Sequence, residues 1–352
     1  MIIKNFLILF FLVCGVVLTE MRSQDHTSFI TGDSSDVVVP ALPAYIFAGG
    51  GKDNDFAMKW MLSRASGGDV LVLRASGSDG YNEYFYKELG ISINSVETIL
   101  FNNKTASSDP YIIRRMEEAE IIFIAGGDQG KYYDYWKDTP VGNKLAEIIQ
   151  MRKKIIGGTS AGMMILGGVV YAPVGDGVKS EEALSNPYHP NIEEIRYDVF
   201  GTTSLFDQMI FDSHFDNRNR SGRLMTFLAR AAKDKSTRLR AIACNESTVV
   251  AIDQDNIARV FGTSSQNPTT AYFLEVNCEN QGSPQSVEQG MPLHWTTEHG
   301  NAVIVQIISC SQEDIISFDL KQWKSMGESK VEYWEVNNGK LIKTLGKNTS
   351  CK

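Results

Sequence analysis

The sequence predicts an α/β protein: a mostly parallel sheet flanked by helices, with an antiparallel extension towards the C-terminus. Three observations point there. From residue 44 onwards, short apolar runs alternate with longer amphipathic segments, the rhythm of βαβ units whose sheet is covered on both faces. Several runs end in glycine or small polar residues, as strands do where open sheets bind ligands. Beyond residue 208 the apolar runs crowd together across short polar turns such as Asp253-Gln254-Asp255-Asn256, which suits antiparallel pairing.

Taken in order, the chain opens with a basic Met1–Lys4, an apolar Phe6–Leu18 and a polar Glu20–Gln24 containing small Ser23. That is the layout of a secretory signal peptide, so residues 1–23 are expected to be removed and the mature protein to be secreted or periplasmic, with no membrane partner after cleavage. Residues 24–43 are polar, with scattered Ser, Asp and Pro, and read as a flexible leader. Residues 44–325 form the α/β domain, and 326–352 a C-terminal extension. Buried strands are expected at 44–48, 70–73, 96–101, 121–125 and 155–156, and helices at 56–64, 81–89, 110–118 and 142–151. A helix is expected from Ala161, and then further strands at 208–211, 240–244, 248–252, 258–261, 271–276 and 302–308.

Composition narrows the function. The 352 residues are 43% hydrophobic and 22% charged, ordinary globular values. A net charge of −8 gives no general support for a nucleic-acid or anionic-membrane partner. Beyond the signal the chain holds Cys244, Cys278, Cys310 and Cys351; Cys278 and Cys310, each ending a strand-like run, are the favoured disulfide pair. No C-x-x-C or H-E-x-x-H occurs, so neither a metal nor another cofactor is expected.

Residues 158–162 read G-T-S-A-G, between the β-branched Ile155-Ile156 and the apolar Met163-Met164-Ile165-Leu166. Two accounts of Ser160 stand. It is a small residue in a tight strand-to-helix turn, or a nucleophile raised on a strained elbow, with the helix N–H groups facing an oxyanion. A nucleophile needs a base. Of the five histidines, only His214 lies at the end of an apolar strand-like run, Gln208–Phe211; a structural, hydrogen-bonded histidine is the competing account. Glu246, between two buried-looking strands, is the candidate to orient it, or else the partner of an arginine near the core. After His214 come Arg218, Arg220 and Arg223, suited to carboxylate recognition unless they merely form a solvated face.

These residues together resemble the cyanophycinase family, aspartyl-peptide-cleaving serine peptidases with a class I glutamine-amidotransferase-like, flavodoxin-like three-layer sandwich. The resemblance rests on G-G-D-Q at 126–129, I-I-G-G-T-S-A-G at 155–162, D-S-H-F-x-x-R-N-R-x-G-R at 212–223 and N-E-S-T at 245–248, and covers residues 44 to 320. It implies Ser160 as nucleophile, His214 as general base and Glu246 as the acid orienting it. It further implies an oxyanion hole from the Gly127 and Ala161 N–H groups, and a substrate cleft lined by Gln129, Asp212, Ser213, Arg218, Arg220 and Arg223. The implied substrate is β-aspartyl material such as cyanophycin, released as β-Asp-Arg dipeptides. A homodimer is common in such families. The chain departs from the family at Ser213, where Gln is usual, and at Asn245, where Asp is usual, so other isoaspartyl or α-aspartyl peptides form the second expectation. A non-catalytic homologue that only binds is the third.

Overall fold

The computed structural model describes residues 24–347, apart from 174, 193–194, 198, 201–204, 236–238, 263–268, 278–282 and 311–314. The first strands are β1 His26–Gly32, β2 Ala44–Ala48, β3 Asp69–Arg74, β4 Ser95–Phe101, β5 Ile121–Ile124 and β6 Ile155–Thr159. They are followed by β7 Val169–Tyr171, β8 Ile195–Tyr197, β9 Met209–Asp212, β10 Arg240–Cys244, β11 Val249–Asp253 and β12 Ile257–Phe261. The last are β13 Thr269–Val276, β14 Val303–Cys310, β15 Ile316–Asp319, β16 Lys324–Ser325, β17 Lys330–Asn337 and β18 Lys340–Leu345. The α-helices are α1 Asp55–Ser63, α2 Gly80–Glu83, α3 Pro110–Glu118, α4 Gln129–Trp136, α5 Pro140–Met151, α6 Ala161–Met164, α7 Ser180–Ser185 and α8 Ser221–Lys235.

The strands form two sheets. The first is ordered β1-β4-β3-β5-β6-β2-β11-β12-β15-β16, and its β4, β3, β5, β6 and β2 are mutually parallel. The second is ordered β18-β17-β14-β13-β10-β9-β7-β8 and is antiparallel except where β9 runs parallel to β10 and β7. The architecture is thus mixed α/β, with the antiparallel pairing concentrated in the C-terminal half as expected.

Alternation along the strands builds three cores. Tyr45 and Phe47 of β2, with Leu71 and Leu73 of β3, face α3, α4, α5 and the inner side of the second sheet, including Phe211, Ile242 and Cys244. Ala44, Ile46 and Ala48 face the other way, onto Ala57, Met58, Met61 and Leu62 of α1. Ala241 and Ala243 of β10 turn outwards onto α8. Helix starts follow local chemistry: the Asp109 and Thr139 side chains accept backbone N–H bonds, and Pro110 and Pro140 occupy the first helical position.

Several expectations need correcting. The leader is not loose throughout, because His26–Gly32 forms an edge strand antiparallel to β4, tied down by Ser28 donating to buried Glu97 at 2.5 Å. Within the expected C-terminal extension, Lys330–Asn337 and Lys340–Leu345 are part of the second sheet, because β17 pairs with β14 and β18 with β17. The helix from Ala161 is a single turn, and the chain re-enters a sheet at Val169 after Gly167-Gly168. The signal segment, Cys278 and Cys351 lie outside the described residues, so the Cys278–Cys310 pairing does too.

Candidate active site

The site lies where the two sheets meet. β6 and β2 are parallel neighbours in the first sheet, and β9 and β10 are parallel neighbours in the second. Ser160 follows β6, His214 stands two residues beyond β9, and Glu246 stands two residues beyond β10. The strand ends therefore deliver all three side chains to one seam.

Ser160 has φ +54° and ψ −116°, a backbone conformation that disfavours any side chain and costs about 1–3 kcal/mol. The surroundings hold it there. Its N–H donates to Ala48 O at 2.9 Å, and its carbonyl accepts from Met163 and Met164. Close packing explains its small neighbours: a Cβ on Gly162 would sit 2.0 Å from Ile124 O, and one on Gly158 would sit 2.5 Å from Gly162 C. Because α6 is one turn long, its contribution to an anion comes from individual N–H groups more than from a macrodipole.

Ser160 Oγ lies 2.8 Å from His214 Nε2, and His214 Nδ1 lies 2.6 Å from Glu246 Oε1. These distances make one continuous hydrogen-bond chain from hydroxyl to carboxylate. His214 itself has φ +46°. Burial lowers its proton affinity below the ordinary 6.5, opposed by the Glu246 hydrogen bond and reinforced by Arg218 and Arg220 nearby. The imidazole is therefore neutral at neutral pH and able to accept a proton from Ser160. Its side chain is 10% exposed and that of Glu246 is 37%, so the carboxylate stands at the rim rather than near the core, as the sequence had suggested.

The loop after β5 completes one wall. A Cβ on Gly126 would touch Ser160 Cβ at 3.5 Å, and Gly127 follows in an extended, exposed conformation. Tyr132 of α4 secures this loop by donating to Ala125 O at 2.8 Å. Gln129 begins α4, half-buried. Ala161 is buried immediately after Ser160.

The charged segment is where the structure departs most from expectation. Asp212 is fully buried and held by Arg223 through Nε at 3.0 Å and through Nη2, with Arg220 Nη1 at 3.4 Å. Arg223 is buried as well, beside the rings of Tyr171 and Phe227. Neither Asp212 nor Arg223 lines an open cleft, because each neutralises the other. Ser213 is likewise buried, its hydroxyl on Met164 Sδ at 3.3 Å. Arg220 donates to Ser213 O at 2.7 Å, and burial pulls its guanidinium down to about 10. Arg218 is exposed and close enough to His214 for its positive charge to disfavour the imidazolium.

Sequence reasoning missed the role of Gly49-Gly50-Gly51, taken as turn residues. His214 N–H donates to Gly49 O at 2.8 Å, and Ser247 N–H to Gly50 O at 2.8 Å. A Cβ on Gly50 would fall 2.4 Å from both Cε1 and Nε2 of His214, and one on Gly51 would fall 2.9 Å from Glu246 Cβ. The glycines thus form the floor under the imidazole and carboxylate. Three consecutive glycines directly after a parallel strand were the available signal.

Known proteins resemble the segment that holds this site. The profile of peptidase family S51 matches residues 74–260, more than half of the chain and the stretch holding Ser160, His214 and Glu246. Cyanophycinase of Synechococcus elongatus is 29% identical over 175 residues, which is 50% of this chain and 49% of that protein. Cyanophycinase of Trichormus variabilis is 26% identical over 180 residues, 51% of this chain and 54% of that protein. The matched region thus spans about half the length of these curated relatives. Among solved structures, a peptidase from an acI-B1 Actinobacterium aligns with TM-score 0.46 and 15% identity, over 79% of this chain and 97% of that one. By its motifs and by the profile that matches it, the chain belongs to peptidase family S51.

Proposed function

We propose that this protein is an exported serine peptidase that hydrolyses β-aspartyl peptide material such as cyanophycin to β-Asp-Arg dipeptides, through Ser160, His214 and Glu246. The observation that carries the reading is the unbroken hydrogen-bond chain from Ser160 Oγ through His214 to Glu246, within the segment that matches the family. The curated relatives named cyanophycinase support the substrate class. On this reading the mixed sheet with its parallel centre is a variant of the class I glutamine-amidotransferase-like sandwich.

Ser160 Oγ attacks the scissile carbonyl while His214 Nε2 takes its proton. Glu246 holds the ring with Nδ1–H towards it and stabilises the imidazolium that forms. The N–H groups of Gly127 and Ala161 receive the developing oxyanion. His214 then returns the proton to the leaving amine, and water hydrolyses the acyl-enzyme by the same route in reverse order. Arg218 and the remaining donors of Arg220 meet substrate carboxylates, while Gln129 contacts the substrate from the α4 side.

Incubation of the mature protein, beside Ser160→Ala, with insoluble cyanophycin tests this: soluble β-Asp-Arg from the wild type alone is expected. Turnover by Ser160→Ala would overturn the catalytic assignment. A second reading, an isoaspartyl or α-aspartyl peptidase acting on other peptides, has one observation in its favour: Ser213 is buried, so it offers no side chain to substrate where cyanophycinases usually carry Gln. Release from those peptides, with cyanophycin left intact, would favour that reading.

A further inference from the structure

Asn245, immediately before Glu246, is joined to the loop that carries His214 by two reciprocal bonds. Its Oδ1 accepts from the Asp216 N–H at 2.9 Å, and its Nδ2 donates to Asp216 Oδ2 at 3.0 Å. The adjacent Asn217 repeats the motif one residue along, its Oδ1 accepting from the Glu246 N–H at 3.1 Å. Tyr272 of β13 donates its hydroxyl to the same Asp216 oxygen, and its ring packs against Phe215 and Trp334. Asn245 is buried, whereas the carboxylate next to it is not.

We infer that Asn245 is a positioning residue for the reaction, clasping the turn that carries Glu246 to the loop that carries His214 and so setting the length of the His214–Glu246 hydrogen bond. The inference rests on the reading of Ser160, His214 and Glu246 as the catalytic set. The physical case is one of leverage. Glu246 is more than a third exposed and sits on a turn, so its own burial does not hold it. Three of the hydrogen bonds just described cross between the two turns on either side of the His214–Glu246 contact. They fix two peptide units relative to each other, which a single side-chain contact does not do.

The clasp also accounts for the amide at this position. Asp216 is an acceptor on its side chain and already receives Tyr272; only a donor at 245 can face it. An aspartate there would set two carboxylates about 3 Å apart, where both cannot remain ionised at low cost.

The test compares wild type, Asn245→Asp, Asn245→Ala and the exchange Asn245→Asp/Asp216→Asn, with Ser160→Ala as control. The readouts are the rate of Ser160 labelling by a fluorophosphonate, dipeptide release, thermal melting and the low-field Nδ1 proton resonance of His214. Asn245→Asp is expected to label about 10- to 100-fold more slowly, as a displacement near 1 Å at a catalytic group does, and to lose or shift the resonance while remaining folded. Asn245→Ala is expected to show the same signature without the added charge. The exchange restores a donor–acceptor pair with its direction reversed and is expected to recover most of the rate and the resonance.

Labelling of Asn245→Asp at the wild-type rate with the resonance unmoved overturns the inference, as does an exchange no better than the single variant. An inactive, unlabelled Ser160→Ala beside a fully active Asn245→Asp removes the clasp alone. Full turnover by Ser160→Ala removes the catalytic assignment and the clasp together.

Discussion

Gly50→Ala is the sharpest test of how the imidazole is held. The new methyl would stand 2.4 Å from Cε1 and Nε2 of His214, where ordinary contact begins near 3.4 Å. Gly50 has φ +91°, so the alanine is strained in any case, at about 1–2 kcal/mol. Its backbone is fixed, since Gly50 O accepts from Ser247 and Gly49 O from His214. The ring must therefore retreat by about 1 Å. Any part of that retreat directed away from Ser160 lengthens the 2.8 Å contact and takes it towards the limit of a general base's reach. The expected loss in kcat is about 100-fold, equivalent to about 2.7 kcal/mol, against a fall in melting temperature of only a few degrees. Fluorophosphonate labelling of Ser160 and dipeptide release measure the first, and calorimetry the second. A folded Gly50→Ala protein that labels at the wild-type rate would falsify the account of the glycine floor.

Further predictions follow from the same geometry. Ser160→Ala abolishes turnover and labelling while the circular dichroism spectrum is retained; residual turnover at the wild-type rate sinks the nucleophile. The acidic limb of the rate profile falls below pH 6.5, because burial disfavours the imidazolium of His214. Arg218→Gln removes a neighbouring positive charge and moves that limb upwards; a downward move refutes the sign. The folded ring takes up its proton only below the pH at which the unfolded one does, so His214 also makes folding weaken as pH falls through that range, which pH-dependent melting reads. Asp212→Asn leaves buried Arg223 without its counter-charge and destabilises by about 3–5 kcal/mol. Arg218→Ala, at the surface, raises KM with melting unchanged; equal melting losses in the two variants would contradict this division of the arginines.

Much of this was legible because burial leaves a mark on composition. β2, β3, β4 and β5 are covered on both faces, so each reads as an apolar run, and its observed bounds differ from expectation by a residue or so. β1 was illegible for the converse reason: His-Thr-Ser-Phe-Ile-Thr-Gly lies at a sheet edge, half exposed, and carries no apolar pattern. The strands β17 and β18 were hidden similarly, by partly exposed faces. Ser160, His214 and Glu246 could be found because each ends an apolar run, and strand ends are where parallel sheets gather reactive groups. The arginines were misjudged in part because Asp212 and Arg223 look the same in sequence whether they bind a ligand or each other. The clasp could not be seen at all, since Asn245 and Asp216 are brought together only by the pairing of β9 with β10.

The division of the hydrogen-bond chain between the sheets ties the proposed chemistry to their packing. Ser160 belongs to the first sheet, His214 and Glu246 to the second, and they meet only once Tyr45 and Phe47 have docked on Phe211, Ile242 and Cys244. Either sheet alone would be chemically inert. On the proposed mechanism, competence to hydrolyse is thus a property of the joined halves, and a chain in which the two sheets are not packed together carries a serine with no base to arm it.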